Sequence, residues 1–284
     1  MLVAPAFILF TMFVVVPVFQ GGYYSVFRWK GAGPLNKNNF IGLGNFIRLF
    51  GDKYFIVALI NNIKIVILSL VFQLPAAFLF ALLVSRKEFR GSVIFRSFYF
   101  FPYVLTEIIV GIIWKFIYNP QFGLPTTLSR LFTQAGAEIT LLGDPEKAFG
   151  AIFFVIFWKY IGFHMILYIA GLQGVPRELE DAAVIDGASG SQVVRHVIIP
   201  CIRNTIIISV FLSVIGSFNV FDIVWAMGQG GPVHSTETLV TYLYNFGFKR
   251  FAFGYGSAVA IVIFFICLIF NLVYQKYIVG DTNK

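Results

Sequence analysis

Asp181-Ala182-Ala183-Val184-Ile185-Asp186-Gly187, followed nine residues later by Val197-Ile198-Ile199-Pro200, is the stretch on which this 284-residue chain turns. Just before it, Pro176 suits a first helical position, and Glu178, Glu180 and Asp181 follow where a helix dipole favours acids. Leu179, Ala182, Ala183 and Asp186 share one face by their three- and four-residue spacing. Gly187 can take positive φ and end that helix. Ser189 with Gln192 has the spacing of a capping box opening a second short helix, which Pro200 closes. The spacing thus predicts a helix–turn–helix over 174–200, with small side chains that let another surface approach closely.

Outward from this loop the chain is apolar. Hydrophobic residues make up 58% and aromatic residues 18%, while only 12% are charged, about half the share in a soluble domain. That balance excludes a disordered chain and points away from a water-soluble enzyme. Crossing the hydrocarbon core takes about 20 mostly apolar residues. Charge-free or nearly charge-free runs cover Leu2–Phe27, Ile65–Ser85, Ser97–Lys115 (with Glu107), Phe149–Val175 (with Lys159 and His164), Asn204–Phe221 and Phe251–Gln275. We expect six transmembrane helices, near 2–27, 55–85, 93–118, 148–173, 202–227 and 252–277, in one all-α membrane domain with both termini on one side. The first run lacks the basic leader of a signal peptide and is too long for one. The chain begins abruptly within it, which suggests a short missing leader or a late start site. Pro17, Pro75 and Pro102 are expected to kink the first three spans.

The net charge of +8 does not point to nucleic acid. With the termini assigned to the cytoplasm, nine Lys and Arg fall on that side and nine on the other, leaving Lys64, Lys115 and Lys159 in the spans. The tight Arg86–Arg96 cluster tips the preference towards cytoplasmic termini. Cys201 and Cys267 read as buried small hydrophobes, with no metal-ligand spacing around either.

The loop resembles the signature of permease subunits of binding-protein-dependent ABC importers: Glu-Ala-Ala, three residues, Gly, nine residues, Ile-x-Leu-Pro. All spacings match, with Asp181 for Glu, Val197 for Ile and Ile199 for Leu. The stretch Glu178 to Ala188, then Phe221-Asp222, Gly230-Gly231-Pro232 with Thr236 and Thr238, Phe253-Gly254-Tyr255-Gly256, and Trp114-Lys115 with Asn119-Pro120 narrow the resemblance to sugar permeases of the maltose-transporter kind. It implies the type I importer fold in a bacterial or archaeal cytoplasmic membrane, with both termini cytoplasmic. It also implies ATPase coupling through Glu178, Asp181, Ala182, Ala183, Asp186, Gly187 and Pro200. The implied partners are a second, different permease, two ATP-binding cassette subunits that hold ATP and Mg, and an extracytoplasmic sugar-binding protein. This chain has no Gly-x4-Gly-Lys-Ser/Thr phosphate loop and is expected to bind no cofactor and to catalyse nothing itself.

Ionisable groups at bilayer depth are costly and so mark candidate sites. Glu107, Asn219, Asp222 and Trp225 are the candidates for a substrate pathway, with Asn219, Asp222 and Ala226 expected on one helix face. Asp222 reads equally as a helix cap, and Glu107 as a partner of Lys159 or Lys115. Lys64 and Lys115 are expected to snorkel to an interface, and Tyr160, His164 and Tyr168 to pack. A membrane-embedded enzyme would need a cluster of His, Asp or Cys, and three scattered His supply none. A stand-alone secondary transporter would show two related halves, and no internal repeat is present. The preferred cargo is an uncharged oligosaccharide. Glycerol-3-phosphate or another polyol derivative is the alternative, disfavoured because no span carries Arg well inside it.

Overall fold

The computed structural model describes residues 3–85, 92–132 and 138–276. Arg86, Lys87 and Arg90 of the basic cluster lie outside them. Among the described residues the chain is helical, with one isolated antiparallel bridge between Phe27 and Phe40. Four helices are long and apolar enough to cross a membrane: α1 (Ala4–Ser25), α3 (Lys53–Ser85), α7 (Pro145–Gln173) and α13 (Phe253–Tyr274). A short α2 (Gly44–Phe50) precedes α3. Two bent pairs bring the count to six if each is one span: α4 (Ser92–Val104) with α5 (Glu107–Ile117), and α9 (Gly190–Cys201) with α10 (Arg203–Phe218). The remaining helices are α6 (Leu124–Phe132), α8 (Arg177–Ile185), α11 (Asp222–Gly228) and α12 (Leu239–Tyr242, continuing through Leu243–Phe248).

Polarity is inverted relative to a soluble protein. Phe13, Phe19, Ile94, Phe98, Leu83 and Ile269 face outward, whereas Asn61, Asn62, Gln73, Lys159, His164, Ser209, Ser213 and Ser217 are buried. Such an arrangement is stable only with hydrocarbon outside, because apolar side chains cost nothing against lipid and polar ones must find partners within. More than half of the apolar window of α7 is buried and none of that of α1 is. The first helix lies along α13 at the periphery, and α7 is the post on which α3, α4, α10 and α11 pack.

Three prolines are absorbed in a common way. A proline ring clashes with the carbonyl four residues earlier. Pro17, Pro75 and Pro200 each follow, by two residues, a widened π turn: Thr11–Val15, Ser69–Gln73 and Val194–Ile198. The carbonyl each ring would strike, at Phe13, Val71 and His196, lies inside that turn. At Pro17 and Pro75 the expected kinks are therefore local widenings within continuous helices.

Pro102 differs. The span expected over 93–118 is divided after Val104, and α4 and α5 meet at 100°. No span continues through these carbonyls, and the ammonium of Lys159 takes their place as donor. It donates to the carbonyls of Pro102 (3.3 Å), Tyr103 (3.2 Å) and Leu105 (2.6 Å). Lys159 is thus not paired with Glu107. It is a cation at the C-terminal, negative end of α4, where the helix dipole favours one, and Glu107 occupies the positive N-terminal end of α5.

The span expected over 202–227 is also divided, at 219–221, between α10 and α11. Asn219 Nδ2 donates back to the Ile215 carbonyl (2.8 Å), Thr238 Oγ1 to that of Val220 (2.7 Å), and Asn62 Nδ2 to that of Ser217. Asn62 Oδ1 also accepts from Leu239 N (2.8 Å), while Asn61 Nδ2 donates to the carbonyls of Ser235 and Glu237. The adjacent asparagines on α3 therefore hold both the break and the loop that follows it.

Replacing Lys159 by Met leaves buried carbonyls at the α4–α5 break without a donor. Charged hydrogen bonds contribute about 1.5–3 kcal/mol each in water-referenced scales and less in membranes. We expect Lys159→Met to destabilise the chain by about 3 kcal/mol, seen as a lower unfolding midpoint in detergent by fluorescence. Lys159→Arg, which keeps a donor, should recover much of the loss.

Candidate functional site

Two regions qualify. The first is α8 with α9. Pro176, expected at the first helical position, sits instead at the N-cap (ψ 130°), and Glu178 and Glu180 occupy the first turn. At the other end Gly187 has φ +84°, and the Ala188 N–H reaches the Ala183 carbonyl at 2.9 Å. This left-handed closure favours glycine. Ser189 N donates to Gln192 Oε1 at 2.7 Å, opening α9. That helix runs one residue past Pro200, to Cys201, and bends 75° into α10. Cys201 is exposed, against the expectation of burial, because it sits at this corner, while Cys267 is half-buried.

No residue of α8 is buried. Leu179, Val184 and Ile185 are exposed, Ile185 at 85%. Glu178, Asp181 and Asp186 make no side-chain hydrogen bond or ion pair among the described residues. A groove of about 290 Å³ separates the two helices, lined by Ala183, Asp186, Gly187, Ala188, Gln192, His196 and Val197. Of the small residues singled out from the sequence, Ala183 and Gly187 line it, and Ala182 does not. The large apolar side chains beside them are an addition, legible as an apolar edge but not weighed as one.

The second region lies where the two helix breaks meet. Helix α11 packs on α5 so closely that a β-carbon on Gly111 would stand 2.6 Å from that of Ala226. Glu107 accepts a short hydrogen bond from the Tyr160 hydroxyl, and Asp222 lies within electrostatic reach of the same tyrosine. Each acid begins a helix, Glu107 α5 and Asp222 α11, where the dipole is positive. Glu107 pairs with neither Lys159 nor Lys115 among the described residues. Lys64 and Lys115 are both exposed.

Asn219, Asp222 and Ala226 do not share one helix face. Asn219 caps α10, and the chain turns before Asp222. The break nevertheless brings Asp222 and Glu107 to the same tyrosine, Tyr160, with Asn219 exposed. Trp225 is stacked on Phe221 (centroids 5.5 Å apart, 15° between planes) and edge-on to Tyr244 at 4.6 Å. The Lys249 ammonium stands 4.6 Å over the Trp225 ring.

Behind the break is a cavity of about 220 Å³ whose polar lining includes Ser69, Gln73, Tyr103, Tyr160, His164, Ser213 and Ser217. His164 Nδ1 is 2.8 Å from Ser209 Oγ. Tyr160 and His164, expected only to pack, line this cavity, and the other members were not singled out because each is a lone polar residue in an apolar run. Their common signal is depth: all are ones a bilayer penalises unless they are paired. Among the described residues no three His, Cys, Asp or Glu side chains cluster to hold a metal ion.

The family described as "binding-protein-dependent transport system inner membrane component" matches residues 73–278. A probable ABC transporter permease, YurN of Bacillus subtilis, is 33% identical, with 95% of this chain and 92% of that protein covered. The diacetylchitobiose uptake permease NgcF of Streptomyces coelicolor is also 33% identical, covering 92% and 76%. The sn-glycerol-3-phosphate permease UgpA of Agrobacterium fabrum is 31% identical, covering 94% and 90%. In fold, the chain superposes with a TM-score of 0.82 on a chain of a bacterial ABC transporter that imports the acidic polysaccharide alginate, at 23% identity, covering 96% and 93%. An all-helical membrane chain with an exposed helix–turn–helix and divided spans thus aligns with these proteins over nearly its whole length: it belongs to the family of inner-membrane permease components of binding-protein-dependent ABC transport systems.

Proposed function

We propose that the chain forms half of the translocation pathway of an ATP-driven importer for an uncharged carbohydrate, with an oligosaccharide as the favoured cargo. In this reading it pairs with a second, different permease. Two cytoplasmic ATPase subunits bind ATP and Mg and perform the hydrolysis, so this chain is not itself catalytic. An extracytoplasmic binding protein delivers the sugar, and both termini are cytoplasmic.

The observation that carries the reading is α8 itself. A nine-residue helix with no buried side chain, unpaired acids and outward Leu179, Val184 and Ile185 is stable only against another protein's surface. Small residues lining the adjoining groove allow close approach, and the strict turn at Gly187 keeps the two helices in fixed relation. Closure of the ATPase pair would move this rigid element and, through the 75° corner at Ile202, α10 and the cavity on it.

The cavity is the proposed half-site for cargo. Serine, glutamine, histidine and tyrosine side chains suit a hydroxyl-rich molecule, and the flanking aromatic rings suit stacking on sugar faces. Glu107 and Asp222 beside it, with no arginine in its lining among the described residues, support an uncharged cargo over a phosphorylated one.

Proteoliposomes holding the partner permease, ATPase, binding protein and this chain test the reading. Uptake of the cognate neutral saccharide should require ATP and should not be competed by glycerol-3-phosphate. Uptake by this chain alone without ATP would overturn it. Asp181→Arg should lower ATPase co-purification at least about tenfold, equivalent to about 1.4 kcal/mol, while leaving the permease pair intact. Gly187→Val forces a β-branched residue into positive φ at about 1–2 kcal/mol. It should weaken the same co-purification and speed proteolysis between α8 and α9.

A further inference from the structure

We propose that α6 (Leu124–Phe132) is an interfacial helix, lying in the headgroup layer of the bilayer on the face opposite α8 and α9, with phospholipid as the occupant of its apolar edge. The inference needs only the membrane location of the chain and stands apart from the identity of its cargo.

The helix turns its apolar edge outward, as the membrane-spanning part of the chain does. Leu124, Leu128 and Leu131 fall on one edge by helical spacing and are 58%, 43% and 74% exposed. On the opposite edge Thr126 is fully buried, and its Oγ1 accepts from the Ile139 backbone N–H at 3.0 Å. A helix on a water-facing surface does the reverse, presenting its polar edge outward. Here Thr126 ties the helix to the protein, Thr127 and Arg130 on the polar side stay exposed, and the apolar edge is left without cover among the described residues.

Three features identify the cover as lipid. Phe116 at the end of α5 and Phe122 in the connecting turn are 63% and 60% exposed. They carry the outward apolar belt of α5 towards Leu124. Helix α6 also lies in the chain between the end of one bilayer-depth helix, α5, and the start of another, α7, which puts it near the level of the interface. Lastly, Arg130, on the polar side of the helix, is exposed and has no partner among the described residues. That is the disposition of a helix lying in the interface plane, with a basic side chain at phosphate level.

The turn that delivers α6 is rigid. A β-carbon on Gly123 would lie 2.3 Å from the Ile117 carbonyl oxygen and 2.4 Å from that of Asn119. Gly123 N donates to the Asn119 carbonyl at 2.7 Å, and Thr127 Oγ1 donates to the Gly123 carbonyl at 3.0 Å. The depth of α6 in the bilayer is thereby passed to α5, which bears Glu107. The helix would act as a float that fixes how far α5 can move along the membrane normal.

The test uses the assembled transporter in nanodiscs of phosphatidylethanolamine and phosphatidylglycerol. In a Cys201→Ser, Cys267→Ser background, single cysteines replace Leu124, Thr127, Leu128, Arg130 and Leu131 in turn and carry a nitroxide. Collision rates with oxygen, which concentrates in lipid, and with a water-soluble nickel chelate are compared. We expect the oxygen-to-nickel ratio at 124, 128 and 131 to exceed that at 127 and 130 by about threefold or more, as an interfacial helix requires. Nickel-dominated collisions at 128 and 131 would mean water covers the edge, and low collision rates with both reagents would mean a protein does. Either result overturns the proposal. Three positions share the apolar edge and two the polar side, so a variant that fails to assemble is replaced by its neighbour.

Discussion

One ammonium group holds the centre of this molecule together. Lys159 stands in the middle of α7 and donates to three carbonyls that the end of α4 would otherwise leave bare. Without it a helix could not end at that depth, since no water is present to take the place of the missing donors. The sharp bend into α5 depends on this capping. So does the position of Glu107 beside Tyr160, and with it the packing of α11 on α5 and the cavity behind them. The same charge would be ruinous in hydrocarbon alone. It is tolerated because a helix end offers a concentrated negative field, so each defect satisfies the other.

The second break obeys the same logic with neutral groups. Asn61 and Asn62, adjacent on α3, donate to carbonyls of α10 and of the loop after α11, and Asn62 Oδ1 accepts from Leu239 N. A third tie closes the periphery: Asp52 caps α3 through Tyr54 N and also accepts from the Tyr242 hydroxyl, which is 2.6 Å from that of Tyr255. The polar residues of the spans are therefore not scattered exceptions. They are the fasteners of a framework whose apolar side chains gain little from packing on one another rather than on lipid.

This explains what was legible in the sequence and what was not. The helix–turn–helix at 174–200 could be read because its determinants are local: a proline at the start, acids in the first turn, Gly187 at the end and Gln192 three residues after Ser189. The number of apolar runs was likewise a matter of local composition. The breaks in the third and fifth runs were hidden because what permits them is remote, 54 residues away for Lys159 and Leu105 and 177 for Asn62 and Leu239. Periodicity carried Asn219, Asp222 and Ala226 onto one face only by assuming a helix that continues. The pairing of Glu107 was missed for the same reason. Charge suggested a lysine, whereas geometry had already committed that lysine to carbonyls and left a tyrosine within reach.

The π turns before Pro17, Pro75 and Pro200 carry a consequence for how such a chain can change over evolution. A π turn holds one residue more than an α turn, so it acts as a screw dislocation in an otherwise regular rod: everything beyond it is rotated by about 100°. In α3 the dislocation spans Ser69–Gln73, and both of its end residues line the cavity. Deleting one residue there would leave a smooth helix of nearly the same length. Its later half, from Pro75 to Ser85, would face a different neighbour, and Ala77, Ala81 and Val84 would leave the core they now fill. The prolines can thus be seen as pawls that hold each rotation in place, fixing which side of a featureless apolar cylinder meets protein and which meets lipid.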